Sequence, residues 1–340
     1  MALPLVESLK DCCSLEKTVT PYFPQLYELS TQLLESWYSL TLLKNIYLTT
    51  NPFISGLALS IFVAVSFYII SEVNGNVSQI DRFWSILPSV YNIHFLTYAK
   101  LSGLNTKRLE TLVFVSAVWS IRLTFNFYRK GGYKRGFEDY RWEILRKKIS
   151  PPLFTVFNIT YISLAQSLLL FMITAPTYLM LVISPYTESL TAADFIFASV
   201  LIAIIVLEFI ADQQQWNYQE AKRIYNETAR VPGKFKQDDL ERGFVVTGLW
   251  SISRHPNFVA EQAIWIFFYL WGSWTTQSFF NWSSIGLISY LLLFQGSTNL
   301  TEEITTTKYD GYKEYQKSVG RFLPNFSTKY LGHFLHKKAL

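Results

Sequence analysis

Charge is scarce in this chain. Asp, Glu, Lys and Arg make up only 16% of the 340 residues, against about 25% in an ordinary soluble domain. That shortage excludes a conventional water-soluble globule. Cysteine is scarcer: Cys12 and Cys13 are the only two, adjacent and near the N-terminus, so neither a metal-ligand spacing nor a disulfide framework is available. The N-terminal stretch has no basic region followed by an apolar core, and the expectation is that no signal peptide is cleaved. Internal repeats, low-complexity tracts and the paired broken helices of a transporter are also missing. The net charge is +5, but the basic residues sit in loops between apolar runs, which points to membrane orientation rather than to nucleic acid.

What is abundant is apolar surface. Half the residues are hydrophobic, 17% are aromatic, and mean hydropathy is +0.18. The apolar residues cluster into runs of about 20, the length that crosses a bilayer. The expectation is an all-α polytopic helix bundle with six or seven transmembrane helices and short cytosolic helices. Residues 26–48 read as an amphipathic surface helix or a poor first span. Candidate spans follow at 53–70, 83–98 (broken by Pro88, Asn92 and His94, and re-entrant if the count is six), 109–128 (carrying Arg122), 153–183 (too long for a perpendicular span, with Pro176 as the kink), 193–211, 258–274 and 279–300. Eight Lys/Arg fall in 129–148, seven in 217–254 and seven from Lys308 onward, while 184–192 and 275–281 hold none. The positive-inside rule therefore places the three basic segments and the C-terminus in the cytosol. Counting back puts the N-terminus outside, with Lys107 and Arg108 on the outer side. Residues 1–50 form an N-terminal segment, 51–326 one membrane domain and 327–340 a cytosolic tail. Sequons at Asn76, Asn226, Asn281 and Asn325 are too common a pattern to carry weight.

Four polar clusters interrupt this background. Residues 248–261 place Arg254, His255, Asn257 and Glu261 at the start of an apolar run. Gly248 and Ser253 suit a turn, and Pro256 suits the first position of a helix. A helix N-terminus there is an anion site, and Asn257 and Glu261, four apart, share one face. A basic interfacial flank with a capping turn uses the same residues. In 122–148, Arg122 lies inside a span, either buried or snorkelling to the interface. Glu138-Asp139-Tyr140-Arg141 pairs carboxylates for ribose hydroxyls with a ring for stacking and a guanidinium for phosphate; a solvated charged loop is the alternative. Glu208 with Asp212-Gln213-Gln214-Gln215-Trp216 marks a polar cavity or a flanking charge. Glu302-Glu303 leads to a tyrosine stripe, Tyr309, Tyr312 and Tyr315, of which Tyr315 suits packing and Tyr309 a site. Asp81, with Trp84 after it, is a helix cap or a proton donor whose pKa the bundle interior raises.

These clusters, in this order, resemble the DUF1295 family of the steroid 5-alpha-reductase superfamily, whose distant relatives include sterol C14- and C7-reductases and isoprenylcysteine carboxyl methyltransferases. The resemblance runs from about 75 to 326. It rests on Asp81-x-x-Trp84, Trp119-x-x-Arg122-Leu123, Glu138 to Arg141, Asp212-x-Gln214, Gly248-Leu249-Trp250 with Arg254-His255-Pro256-Asn257 and Glu261, and Tyr312-x-x-Tyr315-Gln316 with Phe322-x-Pro324. It implies a multi-span endoplasmic-reticulum enzyme, with an NADPH pocket open to the cytosol and a hydrophobic small-molecule substrate taken from the bilayer. By the family pattern the cofactor would be lined by Arg254, His255, Asn257, Glu261 and Tyr309, joined by Arg122, Asp139, Tyr140 and Arg141; Asp212, Gln214 and Glu302, from the polar clusters, are added to the candidate cofactor site. Reductases of this kind deliver hydride to the β carbon of an activated C=C bond while an acid stabilises the enolate.

Two departures shape the chemistry. Phe258 replaces the family's usual Tyr, and Ala260 its Gly. Trp119 stands where steroid 5-alpha-reductases carry a tyrosine, and an indole is no proton acid. Asp81 or Tyr140 then has to serve as the acid. An S-adenosylmethionine-dependent methyltransferase and a non-catalytic membrane scaffold remain alternatives; Asn257 and the Glu138–Arg141 loop follow the reductase-like branch.

Overall fold

The computed structural model describes residues 2–9, 11–187 and 190–324. The sequon at Asn325 and the tail 327–340 lie outside the described residues. Helices and turns account for the described structure, with one isolated parallel bridge between Ser253 and Gly320. The all-α reading is correct. Among the described residues, four helical stretches are long and apolar enough to cross a membrane: Pro52–Asn74, Lys107–Arg129, Pro151–Tyr186 and Ala192–Thr228. The first bears an apolar outer face on which Phe62, Val65, Ile69 and Val73 are exposed, as a lipid-facing helix requires.

The N-terminal part holds α1 (Leu15–Thr18), α2 (Pro24–Ser36) and α3 (Leu40–Thr49). The stretch 26–48 is thus two helices, separated where Ser39 caps the second by accepting from the Leu42 N–H. Next come α4 (Pro52–Asn74), α5 (Gln79–Phe83), α6 (Leu87–Leu101) and α7 (Lys107–Arg129). The 83–98 segment is broken, as expected, between Phe83 and Leu87, directly ahead of Pro88. That proline sits in the first turn of α6, where its missing N–H and fixed φ are tolerated. Asn92 and His94, by contrast, do not interrupt α6. Asn92 is buried and donates to Ser116 at 3.0 Å while accepting from Thr177 at 2.7 Å. Such pairing is what a polar group inside an apolar bundle requires.

The long run from Pro151 is a chain of short pieces: α8 (Tyr140–Lys148) precedes α9 (Pro151–Phe157), a π-helical segment Asn158–Ala165, α10 (Gln166–Met172) and α11 (Ala175–Ile183). The break between α10 and α11 falls just before Pro176, as the proline dictates. The π-helical segment was not foreseeable from hydropathy. It carries Asn158, whose amide donates to Ser71 and Glu72 at 2.8 Å each. Then follow α12 (Ala192–Thr228), α13 (Gln237–Glu241), α14 (Pro256–Thr275), α15 (Ser284–Lys308) and α16 (Tyr312–Ser318).

The chain divides into two compact units: residues 1–202 with 265–290, and residues 203–264 with 291–340. The first unit is built on α4, α6, α7, α10 and α11 around an aromatic core. Phe171 meets Phe53 at 4.9 Å and Tyr91 at 5.2 Å between ring centroids, and Tyr178 meets Phe53 at 5.2 Å. Trp119 is buried edge-on against Trp265 at 5.1 Å. The second unit packs Tyr218, Ala221, Leu240, Val245 and Trp250 together, and Phe244, Tyr312, Tyr315 and Val319 in another cluster.

Candidate functional site

The candidate residues fall into two groups, one in each unit. In the first unit the Glu138–Arg141 loop is a clasp. Asp139 caps α8 by accepting from the Arg141 N–H at 2.9 Å, and holds the Arg141 guanidinium with both oxygens, at 2.8 and 3.0 Å. Glu138 accepts from the Val77 N–H at 2.9 Å and pairs with Arg146 at 3.0 Å. The Asp139 N–H donates to Ser78, and the Asn76 amide donates to the Phe137 carbonyl. These bonds tie the loop to the turn between α4 and α5. Tyr140 opens α8 and leaves its ring about half exposed.

Asp81 is not a cap. Ser78 takes that position in α5, and Asp81 lies in the first turn. It accepts a 2.8 Å hydrogen bond from the Trp142 indole. Burial pushes its carboxyl above the ordinary aspartate range, against the pull of the Arg141 cation. Arg122 is buried inside α7 rather than snorkelling.

In the second unit the motif 248–261 begins with a turn that favours glycine. Gly248 has φ +65°, and a Cβ there would lie 2.6 Å from the Gln214 side chain. The Gln214 carbonyl oxygen accepts from the Leu249 N–H at 2.9 Å. Gln214 therefore supports the turn. Pro256 is the first residue of α14, as its chemistry predicts.

Arg254 is committed on every side. Its Nε and Nη2 grip Glu302 at 2.7 and 3.1 Å, and Nη1 donates to the Gln316 and Val319 carbonyls. His255 Nε2 lies 2.9 Å from the same carboxylate, and Gln316 donates to it at 3.1 Å. Burial pushes the Glu302 carboxyl up, but the bonds from His255 and Arg254 more than offset it and hold it at about 2. Arg254, His255 and Glu302 thus form a buried brace between the start of α14, the end of α15 and the segment after α16. Phe258 is stacked on His255 at 5.4 Å and meets Phe294 edge-on at 5.1 Å, which gives the departure from Tyr a packing role.

Asn257 is placed differently. In the first turn of α14, its amide donates to Asp212 at 3.2 Å, while its carbonyl oxygen is buried with no hydrogen-bond partner. Glu208, Asp212 and Glu261 are also buried in this unit. Tyr309, just after α15, accepts from the Lys222 ammonium at 2.7 Å, with Lys222 and Lys308 both close to its ring. Burial pushes its phenol up, yet the two lysines outweigh that and leave it below the ordinary tyrosine range. Gly243, at φ +89°, lies under the Tyr309 ring, where a Cβ would come within 2.2 Å. Tyr315 packs against Phe244 and bonds the Trp250 carbonyl, the packing role its position suggested.

Lys222 was missed by sequence reasoning. The available signal was its place four residues after Tyr218, on the stripe of α12 that packs inward. A lysine on an apolar stripe marks a buried partner.

No solved structure matches the chain. An uncharacterized protein of Schizosaccharomyces pombe is 41% identical over 324 residues, covering 95% of this chain and 93% of that relative. The model of a family described as a protein of unknown function, DUF1295, matches residues 67–319, and the chain belongs to that family.

Proposed function

We propose that the protein is a membrane-bound, NADPH-dependent oxidoreductase that reduces an activated C=C bond of a lipid or steroid-like substrate. The observation that carries this reading is Asn257. A buried carbonyl oxygen without a donor is costly, and it lies in the first turn of a 20-residue helix whose free N–H groups favour an anion. An N–H of a nicotinamide carboxamide or an adenine amine satisfies that oxygen. Lys222, Lys308 and Tyr309 supply the cations and the hydroxyl that a dinucleotide phosphate takes. Family membership supports a membrane enzyme of the steroid 5-alpha-reductase type. In the first unit, Asp81 has the chemistry of an acid: a sheltered carboxyl that keeps its proton above the usual range. The endoplasmic reticulum and six or seven spans belong to the same proposal.

The geometry changes which residues test it. Arg254 and His255 are so engaged with Glu302 that their removal reports on folding. Asn257→Leu and Lys222→Met are the informative variants. Purified protein in detergent is titrated with NADPH by fluorescence. Each variant is expected to weaken binding by roughly tenfold, the effect of one lost hydrogen bond at a buried site. Tight S-adenosylmethionine binding without NADPH binding overturns the reading in favour of methyl transfer. Binding of neither, with a stable protein partner co-purifying, favours a scaffold.

A further inference from the structure

A cavity of about 680 Å³ opens in the first unit between α2, α3, α4 and His94 of α6, within the size range of small-molecule sites. Its walls are mostly aliphatic, and Leu33 and Phe62 on its lining are also exposed, so it is open towards the surroundings of the helices. One end is polar. His94 Nε2 lies 2.8 Å from the Pro52 carbonyl, which only accepts, so that nitrogen carries the hydrogen. No acidic side chain lines the cavity to hold a second proton on the ring. Nδ1 is therefore an acceptor, and the Tyr47 hydroxyl donates to it at 2.9 Å. The Ser55 hydroxyl turns its proton to the Asn51 or Pro52 carbonyl at 3.4 or 3.3 Å. Tyr47 also lies 3.0 Å from the His94 carbonyl, and the Nε2 hydrogen is shared with Ser55 Oγ at 3.2 Å, so every proton at this end is in use and what remains are lone pairs on Tyr47 and Ser55.

An apolar chamber whose polar end only accepts selects a ligand with a neutral donor. It rejects a carboxylate or phosphate, which would find no donor and no cation. We propose that this cavity binds a neutral lipid alcohol, with its hydroxyl on Tyr47 and Ser55 and its hydrocarbon body along α2 and α4. The site is separate from the chemistry proposed above. Ser55 lies in the first turn of the 23-residue α4, and Asn76, just past its other end, bonds the Phe137 carbonyl beside the Asp139–Arg141 clasp. At 1.5 Å per residue the helix is about 33 Å long, so an alcohol seated at Tyr47 is remote from Asp81. The inference stands whether or not the protein binds NADPH.

A photoreactive sterol with a free hydroxyl, added to the purified full-length protein in detergent, tests it. Saturable labelling is expected within residues 26–62. Unlabelled sterol or oleyl alcohol should compete, and which of them does so better distinguishes a rigid body from a flexible chain. The sterol methyl ether and oleate should not compete. Ala58→Phe, which fills the cavity, should abolish labelling, and Tyr47→Phe should weaken it by roughly five- to tenfold. Both variants are checked for a native gel-filtration profile; if Ala58→Phe does not fold, Ser55→Ala takes its place with an expected loss similar to that of Tyr47→Phe. Equal competition by the methyl ether or oleate, or labelling unchanged in these variants, overturns the proposal.

Discussion

Arg254 shows how a motif residue serves architecture. Its guanidinium is buried, and both oxygens of Glu302 face it. Removing one partner of such a pair leaves an uncompensated buried charge and costs about 3–5 kcal/mol. Arg254→Ala is therefore expected to lower the melting temperature strongly. Arg254→Lys is expected to restore little, because an ammonium cannot reproduce the two parallel bonds. A melt of the protein in detergent checks both. The pH dependence follows from Glu302. Its carboxyl is held down to about 2, below the ordinary glutamate value of about 4.3. A depressed carboxyl contributes stability that is fully present above the unfolded value and lost as pH falls through the folded one. Acid destabilisation should thus develop as pH falls from about 4 to about 2, and Glu302→Gln should flatten that limb. Asp81 has the opposite sign. Its raised carboxyl contributes stability at low pH that is lost as pH rises, so Asp81→Asn should leave the melting temperature at neutral pH unchanged or higher. If Asp81 is the acid, the same variant abolishes turnover while NADPH affinity stays. Turnover surviving in Asp81→Asn would remove it from the mechanism.

At the scale of elements, the informative junction is the segment between α13 and α14 together with the end of α15. Gly243 lets the chain pass under Tyr309 with φ +89°. Gly243→Ala is expected to displace the ring and break its bond to Lys222, costing about 1–3 kcal/mol through the strained backbone alone. Adding Tyr309→Ala should recover the steric part but not the backbone part, and a double-mutant cycle on melting separates the two. Such junctions mark where the sequence was legible and where it was not. Pro256 at the start of α14, the break before Pro176 and the packing of Tyr315 follow from local chemistry, and each was readable. The clasp at Glu138–Arg141 was not, because its partners Val77 and Ser78 lie 61 residues away. The same applies to Arg254: nothing local shows that Glu302 will fill its fork from 48 residues away. Residue types announced charge in an apolar setting, but only tertiary pairing decides whether that charge faces a ligand or another side chain. The π-helical segment at Asn158–Ala165 had no hydropathy signal, since a shift from four- to five-residue bonding leaves the apolar run unchanged.

At the scale of the whole molecule, orientation rests on charge. The absence of Lys and Arg from 184–192 and 275–281 is the ground for expecting these connections outside and the basic segments inside. Lys107 and Arg108 at the start of α7 run against that expectation. Arg108 is held by Asp194 at 2.8 Å with both side chains largely buried, and Asp194 also accepts from the Trp271 indole at 2.8 Å. The shortage of cysteine makes the orientation directly measurable. With only Cys12 and Cys13 to replace by serine, single cysteines can be introduced at Lys147, exposed on α8, and at Gln277, exposed in the connection after α14. In sealed microsomes with the cytosolic face outward, a membrane-impermeant maleimide should label Lys147→Cys directly and Gln277→Cys only after detergent is added. The reverse pattern would invert the bundle and place the Asp139–Arg141 clasp on the side away from cytosolic NADPH, removing the topological support for a reductase.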